Sequence, residues 1–294
     1  MLRTRGNAAR AAAVLLVNAL AMLVLFDSGA SAANSIGVKR NDYNRDGVSD
    51  IVGYYVPDGC LYRFDGRTNG TVTGPSIVSC GWEQYSHIEA VGDVNGDGIG
   101  DLVAVRNYDG YLTRWKGNGN GGFNWAGTYG GGWNNYISYA GVGDITRDGI
   151  PDLVAVRNSD GCLARWKGNR SFGFTYIGDY GCGWNNYTSL EGVGDINGNG
   201  VGDLVAIRRS DGCPASWYGN GNGGLDYSHD YTDYCGQSPS RQIIGLGDLN
   251  GDGNGDLAGN DIWTTSMLTW FSDGWGNFNP SGQHFCCFGN FVLD

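Results

Sequence analysis

The sequence is poor in the side chains that most enzymes use for acid–base work. It holds three histidines, His87, His229 and His284, and three glutamates, Glu83, Glu89 and Glu191. It contains neither a His-Glu-x-x-His metalloprotease run nor a nucleophile elbow. A paired-carboxylate glycosidase needs two carboxyl groups about 5 to 9.5 Å apart in a cleft. Most aspartates here belong to one recurring loop, which leaves Asp65, Asp179, Asp226, Asp230, Asp233 and Asp261 for other duty. Lysine and arginine number 19 against 30 acidic residues and are scattered. Nucleic acid needs a basic patch, so no nucleic-acid partner is expected. No 3.6-residue apolar period occurs after residue 32, which argues against helical layers. The longest apolar-biased run, residues 11–26, is interrupted by Asn18 and falls short of the roughly 20 residues that cross a bilayer.

That run has another reading. Arg3, Arg5 and Arg10 precede or open it, and Ala30-Ser31-Ala32 follows it. A basic start, an apolar centre and a small-x-small site describe a secretory signal peptide. We assign residues 1–32 to it and expect a secreted, extracellular mature chain over residues 33–294, with no membrane insertion after cleavage. Loss of three arginines and Asp27 takes the net charge from −11 to −13.

The acidity is organised. Asp93-Val94-Asn95-Gly96-Asp97-Gly98-Ile99-Gly100-Asp101 places oxygen side chains at positions 1, 3, 5 and 9, with glycine at position 6. Hard cations such as Ca²⁺ take six to eight oxygens, which alternate residues of a tight loop can supply. Position 12, the bidentate Glu of an EF-hand, is Ala104 in an apolar run, so the loop feeds a strand instead. The loop recurs from Asp42, Asp144, Asp195 and Asp248, at spacings of 51, 51, 51 and 53 residues. Its side-chain ligands would be Asp42, Asn44, Asp46 and Asp50; Asp93, Asn95, Asp97 and Asp101; Asp144, Thr146, Asp148 and Asp152; Asp195, Asn197, Asn199 and Asp203; and Asp248, Asn250, Asp252 and Asp256. The position-7 carbonyls are those of Val48, Ile99, Ile150, Val201 and Asn254. Five copies in register predict up to five Ca²⁺ sites. Thr146 and Asn199 should weaken the third and fourth.

This motif, followed by an apolar strand, resembles the FG-GAP/VCBS repeat of integrin α-subunit propellers and of many secreted bacterial proteins. The flanks add to it: Gly92, Gly141-Val142-Gly143 and Gly192-Val193-Gly194 before the aspartate, and Gly-Asn-Gly-x-Gly-Gly-Phe at residues 117–123. The resemblance covers residues 35–294 and implies a β-propeller with Ca²⁺ in a hairpin loop of each blade. The seven blades of the integrin propeller do not transfer to five repeats.

A fixed period of this length with four strand-like segments per copy predicts an all-β propeller of five four-stranded blades. In the third copy, residues 139–143 enter the loop and Leu153-Val154-Ala155-Val156 leave it. Asp160-Gly161 then turns the chain into residues 162–166, and residues 174–180 form an aromatic fourth strand. The turn recurs at Asp58-Gly59, Asp109-Gly110 and Asp211-Gly212, whereas the fifth copy has Thr264-Thr265. Residues 35–41 and Phe291-Val292-Leu293 are left to close the ring in a shared blade. Cys60, Cys162 and Cys213 share one repeat position, and Cys80, Cys182 and Cys235 another. The second copy lacks both, having Tyr111 and Gly131. Presence and absence in pairs predicts Cys60–Cys80, Cys162–Cys182 and Cys213–Cys235, which would persist in a secreted chain. The fifth copy has Ser266 and then Cys286-Cys287, which leaves a vicinal bond, an intermolecular link or free thiols open.

Trp115, Trp166, Trp217 and Trp270 recur in strand three, and Trp82, Trp133 and Trp184 after strand four. Packing between blades is the expected role, a sugar-stacking surface the alternative. Trp125, Trp263 and Trp275 read as breaks in the repeat and as better ligand candidates. Arg106, Arg157 and Arg208 also recur and should pair with surface carboxylates, a ligand-facing ring of arginines being the alternative. The combined expectation is a monomeric, non-catalytic module that binds an extracellular glycan or protein. A glycoside hydrolase or lyase on the same scaffold is the alternative, favoured if two uncommitted carboxylates meet in a central funnel.

Overall fold

The computed structural model describes residues 23–25, 41–235, 240–261 and 266–285. It is a five-bladed β-propeller. Blade 1 comprises β1 (Leu23–Leu25), β2 (Ile51–Tyr55), β3 (Cys60–Phe64) and β4 (Ser76–Cys80). Blade 2 comprises β5 (Tyr85–Gly92), β6 (Asp101–Arg106), β7 (Leu112–Gly117) and β8 (Phe123–Tyr129). Blade 3 comprises β9 (Tyr136–Gly143), β10 (Asp152–Arg157), β11 (Cys162–Asn169) and β12 (Gly173–Cys182). Blade 4 comprises β13 (Tyr187–Gly194), β14 (Asp203–Arg208), β15 (Pro214–Gly219) and β16 (Leu225–Asp230). Blade 5 comprises β17 (Ser240–Gly247), β18 (Asp256–Asp261), β19 (Ser266–Ser272) and β20 (Phe278–Phe285). Each is an antiparallel meander in chain order. The first strands β5, β9, β13 and β17 neighbour one another and so lie innermost. Among the described residues, no helix is long and apolar enough to cross a membrane.

The apolar faces meet between blades rather than within them. Val52 and Leu61 pack with Ala90, Leu102 and Trp115 across blades 1 and 2. Val103 and Leu112 pack with Leu153 and Trp166 across blades 2 and 3. Val154 and Leu163 join Leu204 and Trp217 across blades 3 and 4, and Val205 and Ile207 join Ile243 and Leu257 across blades 4 and 5. Ile51 and Phe64 meet Ile244, Leu246 and Met267, which closes the ring between blades 5 and 1. The second strand of each blade is buried on both faces. Leu102 to Val105 and Leu153 to Val156 therefore read as continuous apolar runs without a polar alternation.

The recurrent tryptophans are the wedges of these cores, as expected. Trp82, Trp133 and Trp184 each open a one-turn 3₁₀-helix between blades, a feature the sequence reading did not foresee. They lie against Trp115, Trp166 and Trp217 at centroid separations of 4.7, 4.8 and 4.8 Å. The residue before each wedge is a glycine near φ +95°, in the left-handed region that a Cβ disfavours.

Strand-three arginines tie successive blades. Arg63 donates to the Asn120 carbonyl, Arg114 to that of Phe172 and Arg165 to that of Gly223. The turns that follow also grip the preceding loop. Gly121 N–H donates to the Tyr43 carbonyl at 2.7 Å, Gly223 to Ile145 at 2.8 Å and Gly276 to Ile196 at 2.7 Å.

Blade 1 departs from the frame. Its innermost strand, Leu23–Leu25, pairs with β2 through Leu23 and Tyr54, Val24 and Gly53, and Leu25 and Val52. These three residues fall within the segment assigned to the signal peptide. In the other blades the first strand runs directly into the metal-type loop, whereas this one stops well short of Asp42. One short apolar run thus suits both a leader and an edge strand. Residues 35–40, Ala30-Ser31-Ala32, Trp263, Thr264-Thr265, Cys286-Cys287 and Phe291-Val292-Leu293 lie outside the described residues.

All three expected disulfides are present: Cys60–Cys80, Cys162–Cys182 and Cys213–Cys235. Each pins the start of strand three, or in blade 4 the residue before it, to strand four or to the segment that follows it. Such bonds suit an oxidising, extracellular environment.

Candidate functional site

The five aspartate-rich loops stand between the first and second strands of the blades. In loop two, Asp93 accepts the N–H groups of Gly96 at 2.7 Å, Asp97 at 2.9 Å and Gly98 at 2.8 Å. Asp97 accepts Ile99 N–H at 3.1 Å. The position-6 glycines Gly47, Gly98, Gly149, Gly200 and Gly253 all hold φ between +78° and +95°, which fixes the bend. The same pattern holds elsewhere: Asp42 accepts Gly47 N–H at 2.8 Å, Asp144 accepts Gly149 at 2.6 Å, Asp195 accepts Gly200 at 2.7 Å and Asp248 accepts Gly253 at 2.9 Å. At position 5, Asp46, Asp148, Asn199 and Asp252 accept Val48, Ile150, Val201 and Asn254 N–H at 3.0, 3.0, 2.7 and 2.8 Å. That donation turns each residue-7 peptide in a common direction.

Position 9 has a role the motif alone did not reveal. Asp50, Asp101, Asp152, Asp203 and Asp256 are fully buried. One oxygen of each accepts a backbone N–H at the end of strand three of the same blade: Gly66, Gly117, Gly168, Gly219 and Ser272. The other oxygen accepts the loop's own N–H groups, as from Tyr43, Val94, Thr146, Ile196 and Leu249. This aspartate is therefore the clamp between loop and blade. Burial pushes Asp50 and Asp152 up to about 7 and Asp101 and Asp256 up to about 8, with backbone donors opposing it. Asp203 is raised well above the carboxylate range for the same reason. Buried anions of this kind call for more positive charge than N–H dipoles supply.

The donor chemistry fits a hard cation. Every loop offers carboxylate, amide or hydroxyl oxygens and a peptide carbonyl, with no sulfur or imidazole. The arrangement is more open than a filled site. Among the described residues, no three His, Cys, Asp or Glu side chains gather as a metal requires. The oxygens are instead turned to N–H donors. Asn44 Nδ2 reaches Asp46 at 3.1 Å, and both Asp101 oxygens accept Asn95 Nδ2 at 2.9 and 2.8 Å. The two divergent loops have further partners. Lys167 Nζ lies 3.0 Å from Asp148 in loop three. Asn199 donates to the Gly219 carbonyl at 3.0 Å in loop four, while Asn197 accepts Asn199 N–H at 3.0 Å. In loop five Asn250 bonds Asp252 at 3.0 Å.

Arg106, Arg157 and Arg208 pair with Asp109, Asp160 and Asp211, as expected, and not with a shared ligand surface. Four of the uncommitted aspartates are engaged too. Asp65 pairs with Arg63, Asp179 with Arg157 and Asp230 with Arg208. Asp226 accepts the Tyr180 hydroxyl at 3.0 Å, and Asp233 sits in the 3₁₀-helix Thr232–Tyr234. Of the glutamates, Glu89 and Glu191 lie buried on the innermost strands β5 and β13. Each accepts a backbone N–H of the next blade, Gly141 at 3.1 Å and Gly245 at 3.5 Å. His87 lies tilted against Tyr139 at 4.6 Å, and His229 meets Tyr231 edge-on at 4.4 Å.

One expectation is corrected. Trp125 does not break the repeat. It pairs across the sheet with Trp115 as Tyr176 pairs with Trp166 and Tyr227 with Trp217. It is the tryptophan version of a recurring outer-strand position, disguised by the change of residue type.

Comparison with known proteins agrees with the repeat. Residues 93–155, loops two and three with the strands between them, match the family model described as FG-GAP-like repeat. No curated protein sequence matches the chain. Among solved structures, the Tc holotoxin pore of Photorhabdus luminescens aligns over 90% of this chain at 17% identity and TM-score 0.38. The chain spans 13% of that toxin chain's length. An inactive virginiamycin B lyase from Staphylococcus aureus, solved with quinupristin, aligns over 92% of this chain and 86% of its own at 9% identity and TM-score 0.38. AofleA from Arthrobotrys oligospora aligns over 89% and 87% at 10% identity and TM-score 0.40. Likeness at that level carries nothing about ligand or activity. Sequence period, blade architecture and family match converge on one statement: the chain is a five-bladed β-propeller that carries an FG-GAP-like repeat.

Proposed function

We propose that the protein is a secreted, Ca²⁺-stabilised propeller that binds an extracellular glycan or protein and performs no chemistry on it. The observation that carries this reading is the state of its carboxylates. Fourteen aspartates sit in the five loops, which offer only oxygen donors. Asp65, Asp179 and Asp230 are each held by an arginine. The two buried glutamates are bonded to neighbouring blades. A glycosidase needs one carboxyl free to donate a proton and a second free to attack or to activate water. In the calcium form Asp42, Asn44, Asp46, Asp50 and the Val48 carbonyl, and their counterparts in the other loops, would hold the ion. The ion would supply the positive charge that the clamp aspartates lack. A leader cleaved near residue 32, which would take β1 of blade 1 with it, and three disulfides fit export. The test is a glycan array probed with mature protein in millimolar Ca²⁺ and in EDTA, beside turnover assays on the glycans retained. Retention without turnover, lost on chelation, supports the reading. Release of reducing ends or unsaturated sugars would overturn it.

A further inference from the structure

The outermost strands of blades 2, 3 and 4 carry an exposed aromatic ring at the same place. Trp125, Tyr176 and Tyr227 are 65, 51 and 57% exposed, although each stands opposite a buried tryptophan. Tyr176 lies 5.7 Å from Trp166, and Tyr227 lies 5.9 Å from Trp217. Behind them Tyr85, Tyr136 and Tyr187 set their edges on those tryptophans at 4.9, 5.2 and 5.0 Å. A β-bulge falls in strand four beside each exposed ring, a device that re-aims a side chain. Polar groups fixed in orientation accompany the rings of blades 3 and 4, whereas blade 2 has Thr128 where those blades have Asp179 and Asp230. Tyr176 Oη donates to Asp179 at 2.7 Å, and Asp179 holds Arg157, which also bonds Asp160. In blade 4, Arg208 is held by Asp230 and Asp211, both at 2.7 Å. In blade 2, Arg106 is held by Asp109 and lies over Tyr108 at 4.6 Å and Tyr111 at 5.8 Å. Blades 1 and 5 lack the ring, having Gly74 and Pro280 at the equivalent positions.

We propose that these are three equivalent subsites for an uncharged polysaccharide, with Trp125, Tyr176 and Tyr227 as the platforms for its pyranose rings. This rests on the binding-module reading above and locates its surface. A pyranose offers an apolar C–H face and a rim of hydroxyls, which match a lone exposed ring flanked by hydrogen-bonding groups that are already oriented. Charge selects the class. Arg157 and Arg208 are each answered by two aspartates, so the sites present no surplus cation to an acidic glycan on a chain of net charge −11. Repetition selects the form. Three like sites in successive blades suit a ligand whose own units repeat, and linked weak sites gain through effective concentration.

The test uses full mature protein in constant Ca²⁺, with retention on insoluble cellulose, chitin and mannan, and on alginate as the acidic control. Trp125→Ala, Tyr176→Ala and Tyr227→Ala should each weaken retention on the preferred neutral polymer by roughly tenfold, and the triple variant by about 10²- to 10³-fold. Their melting temperatures should stay near wild type. Tyr176→Phe should retain binding. Trp275→Ala removes a ring that is 83% exposed elsewhere, and it should also retain binding. If wild type binds a neutral glycan and the triple variant binds equally well, the three platforms are wrong while the binding-module reading stands. Equal losses in Trp275→Ala would reduce the effect to general stickiness and overturn the assignment. Preference for alginate, or retention of none of the four polymers, overturns the proposal too.

Discussion

The ring of Tyr111 lies over Gly131 at the place where blades 1, 3 and 4 carry a disulfide. A Cβ at residue 131 would stand 3.0 Å from Tyr111 Cε2. An aromatic side chain covering a cross-strand glycine shields backbone that would otherwise face water. Blade 2 has thus replaced a covalent staple with a contact. Tyr111→Cys with Gly131→Cys should form a fourth bond across the same pair of strands. A closed loop of this size is worth roughly 3 kcal/mol by chain entropy, less the lost ring contact. Denaturant melts with and without reductant measure it. A double variant that stays reduced in air would show that blade 2 differs in backbone as well as in residue type.

Chelation should destabilise the ring. At 100-fold excess over Kd, one native-state site contributes about 2.7 kcal/mol, and up to five act together. Asp97→Ala and Asp252→Ala, in loops with full ligand sets, should lower the melting temperature in Ca²⁺ more than Asn199→Ala. Superimposable melts in EDTA and in millimolar Ca²⁺, with no calcium by elemental analysis, would reduce the loops to Asp-rich turns.

The metal-free protein should lose stability as pH rises. Burial sets Asp50 and Asp152 at about 7 and Asp101 and Asp256 at about 8. The same groups titrate near 3.9 when unfolded. A carboxyl raised on folding gives stability that is complete below about pH 4 and disappears as pH passes through its folded value. The Arg-paired Asp109, Asp160 and Asp211 are held low and act in the opposite sense, but they are solvent-screened and contribute little. In EDTA the melting temperature should fall between pH 5 and 8. In saturating Ca²⁺, which favours the ionised form, it should rise over the same interval. A rising metal-free curve would contradict the burial argument.

Lys167 should compete with a metal in loop three, because its ammonium already occupies Asp148. Lys167→Met should lower stability in EDTA slightly and raise the calcium affinity of that loop. Calcium titration by calorimetry reads the affinity, and a thermal melt in EDTA the stability, each compared with wild type. Unchanged affinity would mean that the pair is a surface contact without influence on the loop.

Much of this structure was legible because the repeat recurs in register. The loop period locates every second strand, and the paired gain and loss of cysteines predicts three bonds. Two things were hidden for physical reasons. Position 9 was read as a ligand like the others, because a motif records an oxygen and not its neighbours. Its bond to a glycine 16 residues on, as in Asp101 to Gly117, depends on how strand three folds back. Trp125 is an exception by residue identity and a member of the repeat by position. Trp and Tyr serve alike where a flat ring is all the site asks. The Leu23–Leu25 strand was beyond reach because a leader and a β-strand draw on the same apolar alphabet.

The grip of each turn on the preceding loop has a consequence for how the ring answers calcium. Gly223 bonds a carbonyl of loop three from blade 4, and Gly276 bonds one of loop four from blade 5. An ion that orders one loop would therefore also fix part of the next blade, the turn just after the strand whose end bonds that blade's own clamp aspartate. Filling should then spread from neighbour to neighbour, with a titration steeper than independent sites would give. The ring would behave as one switch set by calcium level rather than as five separate stores.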